Sequence, residues 1–226
     1  MWIIRGIAGR GEAPACAGTR NGAAVVMGTA RCVWDDIARC RSKLLLATDR
    51  GQEAAPTGTR FKVIAINGMV LFYPGRIHHA VSMHPAELGH WQKLREIYGD
   101  RDPSTFLTHS YRRPEEGGPP DVVWDIQGAI AGTSGLLAVM VGLALGYQRI
   151  ILCGVPLDGS GHVYDDPETI TRQFTQEWLA MEWAKAGKQY FDDRVRSMSG
   201  NTRAWFGEPT KEWLHGSLQQ GATGEV

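Results

Sequence analysis

Residues 132–153 read GTSGLLAVMVGLALGYQRIILC. Gly132-Thr133-Ser134-Gly135 opens the stretch, and residues 134–145 then carry no charge. Ser and Thr favour a helix start, where a side-chain oxygen accepts an unpaired backbone N–H. Gly146 is a natural helix stop. Arg149 to Cys153 (RIILC) is a continuous apolar run of strand length. Such a run suits the interior of a parallel sheet covered on both faces. A helix that is apolar nearly all round must also be buried.

Working outward, the same alternation recurs. Ala23–Met27 (AAVVM) reads as a first strand before Gly28-Thr29, and Phe61–Ile66 (FKVIAI) as a second before Asn67-Gly68. His79–Met83 reads as a third before His84-Pro85, with shorter candidates at Thr105–His109 and Val122–Trp124. Between them, Cys32–Lys43 places Val33, Ile37 and Cys40 on one helical face, and Leu88, Trp91, Leu94 and Tyr98 line another. Glu168–Ala186 is expected to be helical with Phe174, Trp178 and Met181 on one face. Residues 194–219 start basic and continue in short helical pieces with Trp205, Phe206 and Trp213; most of the eight tryptophans are expected in the core. Strands alternating with helices predict an α/β fold with a doubly wound, mostly parallel sheet. One Rossmann-like domain is expected over residues 23–219, with a variable lid segment around 86–120. Residues 1–22 read as a loose lead-in and 220–226 as a tail.

Composition narrows the function classes. Lys and Arg number 24, as do Asp and Glu, so no net charge draws the chain to nucleic acid or an anionic membrane. Ala129–Gly146 is uncharged and about long enough to cross a bilayer, but Thr133, Ser134 and four glycines interrupt it. A buried core helix, and no transmembrane segment, is the reading taken. The N-terminal apolar stretch is broken by Arg5, Gly6 and Arg10, too short for a signal peptide. Four cysteines without a CxxC fit a reducing, cytoplasmic setting, with Cys153 a buried thiol.

Ligands of such sheets bind beyond the carboxyl ends of the strands. The residues there are Gly28-Thr29, Asn67, His84, Thr133-Ser134 and the loop 154–166. The Gly-Thr-Ser-Gly turn can hold an anion on hydroxyls and helix N–H groups, or can simply cap its helix. Asn67 can read a base or ribose, or can belong to a plain Asn-Gly turn. Arg31 can pair with phosphate or lie on the surface. His84 can face a ligand or be a hydrogen-bonded structural histidine. His78 and His79 would face opposite sides of a strand, which is poor for joint metal binding. Asp158, Asp165 and Asp166 with His162 can hold a metal, or can be loop solvators and caps. Neither GxGxxG nor a Walker loop is present.

The stretch GTSGLLAVMVGLALGYQRIILCGVPLDGSGHVY resembles the donor-binding core of bacterial lipooligosaccharide sialyltransferases. It is also similar to the Rossmann-like proteins around the archaeal hydroxymethyldihydropterin diphosphokinases, and to phage and prophage relatives of both. The resemblance covers residues 23–206. It implies a nucleotide or nucleotide-sugar ligand, such as a cytidine nucleotide, contacted by Gly28, Thr29, Asn67, His84, Thr133 and Ser134, with Tyr164 near the phosphate. A glycosyltransferase of this kind needs no cofactor. The diphosphokinase alternative, transfer to a pterin-type alcohol, implies Mg²⁺. A third reading is a non-catalytic phage accessory protein that keeps the fold. A homo-oligomer is compatible with all three.

The departures are specific. Thr29 and His84 stand where the family has Asn, and Pro156 where it has Asp. VRSMSGNTRAW (195–205) resembles the segment carrying the catalytic histidine, with Met198 in its place. Methionine cannot take a hydroxyl proton, so standard sialyl transfer is not expected. His162 or His84 would be the replacement base.

Overall fold

Alternation assigns each central strand side chain to one of two layers. In β2 (Ala23–Met27), Ala24 and Val26 face one way and Val25 and Met27 the other. In β3 (Phe61–Ile66), Ile64 and Ile66 oppose Val63 and Ala65; in β7 (Arg149–Cys153), Ile150 and Leu152 oppose Ile151 and Cys153. All of these are buried, so the sheet is covered on both faces. This is a computed structural model; it describes residues 4–8, 22–48, 61–98, 105–112, 120–126, 133–165 and 177–215.

The remaining strands are β1 (Ile4–Ala8), β4 (His79–Val81), β5 (Leu107–Ser110), β6 (Val122–Ile126) and β8 (Val195–Ser197). Across the sheet the order is β1-β6-β5-β4-β3-β2-β7-β8. Seven strands are parallel, and β1 closes one edge antiparallel to β6. The chain builds outward from β2 to β6, then returns to lay β7 on the other flank of β2. The order therefore reverses between β2 and β7, where a doubly wound sheet opens a crevice.

On one face lies α4 (Ser134–Ala144), with Trp183 of α5 (Glu177–Ala186) and Phe191 of the following π-turn packed into the same layer. On the other lie α1 (Val33–Thr48), α2 (Met69–Phe72), α3 (Pro85–Ile97) and α7 (Lys211–His215). The short α6 (Gly200–Phe206) follows β8. The uncharged run is thus a buried helix. Its 11 residues reach about half the hydrocarbon thickness of a bilayer. Among the described residues, no helix is long and apolar enough to cross a membrane.

Two polar networks tie the layers. In α1, fully buried Asp36 accepts from Gly154 N (2.9 Å), Ser199 Oγ (2.6 Å) and Arg39 Nη2 (2.6 Å). It joins α1 to the end of β7 and to the β8–α6 turn. Across β4, β5 and β6 runs a second chain. Trp124 Nε1 donates to His109 Nδ1 (3.1 Å), His109 Nε2 meets His79 Nδ1 (2.9 Å), and His79 Nε2 meets Tyr147 Oη (3.1 Å). An indole N–H only donates, so His109 is neutral with its proton on Nε2, which donates to His79. His79 then carries its own proton on Nε2 and donates to Tyr147. Burial holds His109 down at about 3.

Several expectations change. Residues 4–8, read as part of a loose lead-in, form β1, because an edge strand needs only backbone partners. β8 is three residues long with Arg196 at its centre, too short and mixed to show a period. In α5 the buried face is Leu179, Trp183 and Ala186, while Met181 is 67% exposed. A short periodic window fits two phases, and packing of Trp183 beside Gly135 selects this one. Phe174 and the side chain of Trp178 lie outside the described residues. Trp124, Trp183 and Trp213 are core as expected, but Trp34 and Trp205 are exposed on helix surfaces.

Candidate functional site

Where the strand order reverses, β2 and β7 end on glycines packed against each other. A Cβ on Gly28 would stand 2.3 Å from the Gly154 carbonyl oxygen. Gly154 has φ +68°, and a Cβ there would meet Val33 Cβ at 2.6 Å. Only glycine allows both contacts. The chain after β7 then folds back over the β2–α1 connection. Ala30 N donates to Gly154 O (3.2 Å), Arg31 N to Gly161 O (3.2 Å), and Val163 N to Thr29 O (2.7 Å).

These bonds enclose a cleft of about 610 Å³, within the usual range for small-molecule sites. Thr29, Asn67, Ser134 and Gly154 bring the strand ends and the start of α4 to it. His84, Glu87 and Trp91 of the α3 segment form one wall, Asp158, His162 and Tyr164 of the β7 loop another. Tyr111 and Arg112, beyond β5, stand at the rim, with the guanidinium 5.2 Å from the ring centre.

Each nominated residue that the structure describes has a definite place. Gly28, Thr29, Asn67, His84, Thr133, Ser134, His162 and Tyr164 all line this cleft. Thr133, not Ser134, caps α4: its Oγ1 accepts from Leu136 N (3.2 Å). Ser134 Oγ accepts from Met83 N (3.0 Å) and keeps its own proton for another partner. The Ser134 and Gly135 N–H groups find no acceptor among the described residues. His162 Nδ1 is held by Thr29 Oγ1 at 2.8 Å, and its backbone N–H by Asp165 Oδ2 at 2.6 Å. Tyr164 stacks between Phe72 (5.8 Å) and His162 (5.1 Å). Its phenol is pushed up by partial burial, against which a Thr29 hydrogen bond acts.

Of the other nominees, Asp158 lines the cleft, while Arg31, Asp165 and Met198 are not among its lining residues. Met198 is fully buried in the α1 layer, its N–H on Leu152 O (3.0 Å) and its carbonyl accepting from Arg39 Nη2 (2.9 Å). A histidine placed there would sit in that core. Arg31 donates to the Asp165 carbonyl (2.7 Å). Asp158 accepts from Ser160 N (3.0 Å) and Asp165 from His162 N, as loop caps do. Asp166 and Gly132 lie outside the described residues. Among the described residues no three His, Cys, Asp or Glu side chains are grouped to hold a metal. Rather than facing opposite sides of one strand, His78 precedes β4 and accepts from Val63 N (3.1 Å), while His79 joins the buried chain. Cys153 is a buried thiol as expected. Cys32, beside Ser199 Oγ (3.2 Å), is pushed up to about 11 by burial and stays protonated.

Sequence reasoning missed Ser82, Glu87 and Trp91 as site residues. Glu87 and Trp91 follow His84 at +3 and +7, a helical spacing that a cleft-facing His84 would have extended. Ser82 carries no sequence signal at all. No protein-family model, curated protein or solved structure matches the chain.

Proposed function

We propose that the protein binds a nucleotide or nucleotide sugar in this cleft, and that any transfer from it is a glycosyl transfer. One observation carries the reading. At the start of α4, the Ser134 hydroxyl and the Ser134 and Gly135 N–H groups, which have no acceptor among the described residues, belong to residues that line the cleft beside the switch point. Such a wall suits phosphate oxygens, which only accept, and the partial positive charge of the α4 start adds to it.

In a transfer, the bond from the anomeric carbon to the nucleotide phosphate breaks, and its electron pair leaves with the phosphate. The acceptor hydroxyl oxygen bonds to that carbon and gives its proton to His162. For this step the ring carries its proton on Nδ1, which donates to Thr29 Oγ1 and leaves Nε2 as the basic atom. His84 faces the same cleft from the α3 wall. Position 198 takes no part.

Thermal melting with cytidine, uridine, guanosine and adenosine mono- and diphosphates tests the reading. A true ligand at 100 times its Kd adds about 2.7 kcal/mol of stability. Ser134→Trp should fill the cleft and abolish that gain while the apo protein still folds. A panel in which no nucleotide moves the melting point overturns the reading.

A further inference from the structure

Asn67 ends β3 at φ +50°, a left-handed conformation that Asn tolerates better than most residues. Its side chain is held from one side only. Ser82, fully buried after β4, accepts from His84 N (2.9 Å) and donates its hydroxyl proton to Asn67 Oδ1 (2.7 Å). With one backbone N–H already directed at it, the Ser82 hydroxyl needs an acceptor for its own proton. The amide oxygen is that acceptor. Asn67 Nδ2 is thereby left as the free end of an amide that lines the cleft, and no described residue accepts from it.

We infer that Ser82 is a positioning residue that fixes the hand of the Asn67 amide, so that the cleft reads a hydrogen-bond acceptor on its ligand through Asn67 Nδ2. This rests on the nucleotide reading. Ser82 is itself anchored, its N–H on His109 O (3.1 Å) and its carbonyl on Ser110 Oγ (2.8 Å), so the hydroxyl cannot turn with its backbone. The same hydroxyl pins His84 N at the start of α3. One buried oxygen thus holds both the reading amide and the start of the α3 wall. The ligand atom in question offers a lone pair: a base carbonyl or ring nitrogen, a ribose oxygen, or a phosphate oxygen.

The test is titration calorimetry with cytidine 5′-monophosphate, cytidine and inorganic phosphate. Asn67→Asp keeps the oxygen that Ser82 bonds and replaces the donor with an acceptor, so it should fold as the parent does. It should bind cytidine 5′-monophosphate at least about tenfold more weakly. Ser82→Ala frees the amide to turn and should weaken binding about threefold to tenfold. If the Asn67→Asp loss persists with cytidine, the acceptor lies on base or ribose; if it appears only with phosphate-bearing probes, it lies on phosphate. In parallel, the side-chain NH₂ resonances of Asn67 should shift in the parent protein on adding cytidine 5′-monophosphate. Binding that survives Asn67→Asp within twofold, or NH₂ resonances unmoved at saturation, overturns the inference alone. Absence of any binding by the parent overturns the nucleotide reading and this inference with it. Should Asn67→Asp not fold, the parent's NH₂ resonances decide.

Discussion

His79 and His109 share residue type with His84 and His162, yet the two pairs live under opposite rules. In the chain Trp124–His109–His79–Tyr147, each ring N–H meets an acceptor and all four residues are at most 5% exposed. Around the cleft, three lining side chains each have one anchoring bond and a second polar atom without a partner among the described residues. His162 is held at Nδ1, Ser134 accepts at its oxygen, and Asn67 is held at Oδ1. A closed network specifies a core; a half-open one is built to be completed by something else. What separates structural from candidate functional histidines here is whether their hydrogen-bond chain terminates within the protein.

Gly28→Ala drives a Cβ into the Gly154 carbonyl and should cost about 3 kcal/mol or prevent folding, read by urea denaturation. Asp36→Ala removes the acceptor of three hydrogen bonds at the cleft's underside and should cost about 3 kcal/mol. If both variants melt like the parent, the switch-point floor is not built as described.

The buried chain makes a pH prediction. His109 is held at about 3 when folded, against an ordinary value near 6.5. Above about pH 6.5 both states are neutral there and its contribution to stability is fully present. Between about 6.5 and 3 the unfolded chain takes up a proton that the folded one refuses. Stability should therefore fall as pH drops through that window, by at most about 1.4 kcal/mol per pH unit from this group. His109→Phe should lower stability at pH 7.5 by about 2 kcal/mol, since Trp124 Nε1 and His79 Nδ1 lose their partner, and should flatten the slope. An unchanged slope would mean that another group carries it.

The smallest effect separates neighbours on one helix start. Thr133→Ala should cost about 1 kcal/mol, because it removes the α4 cap. Ser134→Ala should cost less in the apo protein yet reduce nucleotide-induced stabilisation. Equal apo costs would make Ser134 as structural as the histidine chain.

Much of this was legible. The central strands and α4 announce themselves because their apolar runs are covered on both faces and need no tertiary context to be recognised. Gly28, Thr29, Asn67 and His84 were legible for the same reason: an apolar run that stops marks the carboxyl end of a strand. Edge and short strands gave no such mark, since β1 is held by backbone pairing and β8 is three residues long.

Local pattern alone therefore determined the α/β class, the buried helix and the strand ends where a ligand can bind. Tertiary structure decided which polar atoms remain open there. Thr133 rather than Ser134 takes the cap, Met198 turns into the α1 layer, and Ser82 sets the Asn67 amide. The physical reason is that hydrogen-bond satisfaction is a non-local quantity. Ser82 and Asn67 are 15 residues apart, and Thr29 and His162 are 133 apart. Which end of each side chain is left for a ligand depends on the strand that the folded sheet places beside it.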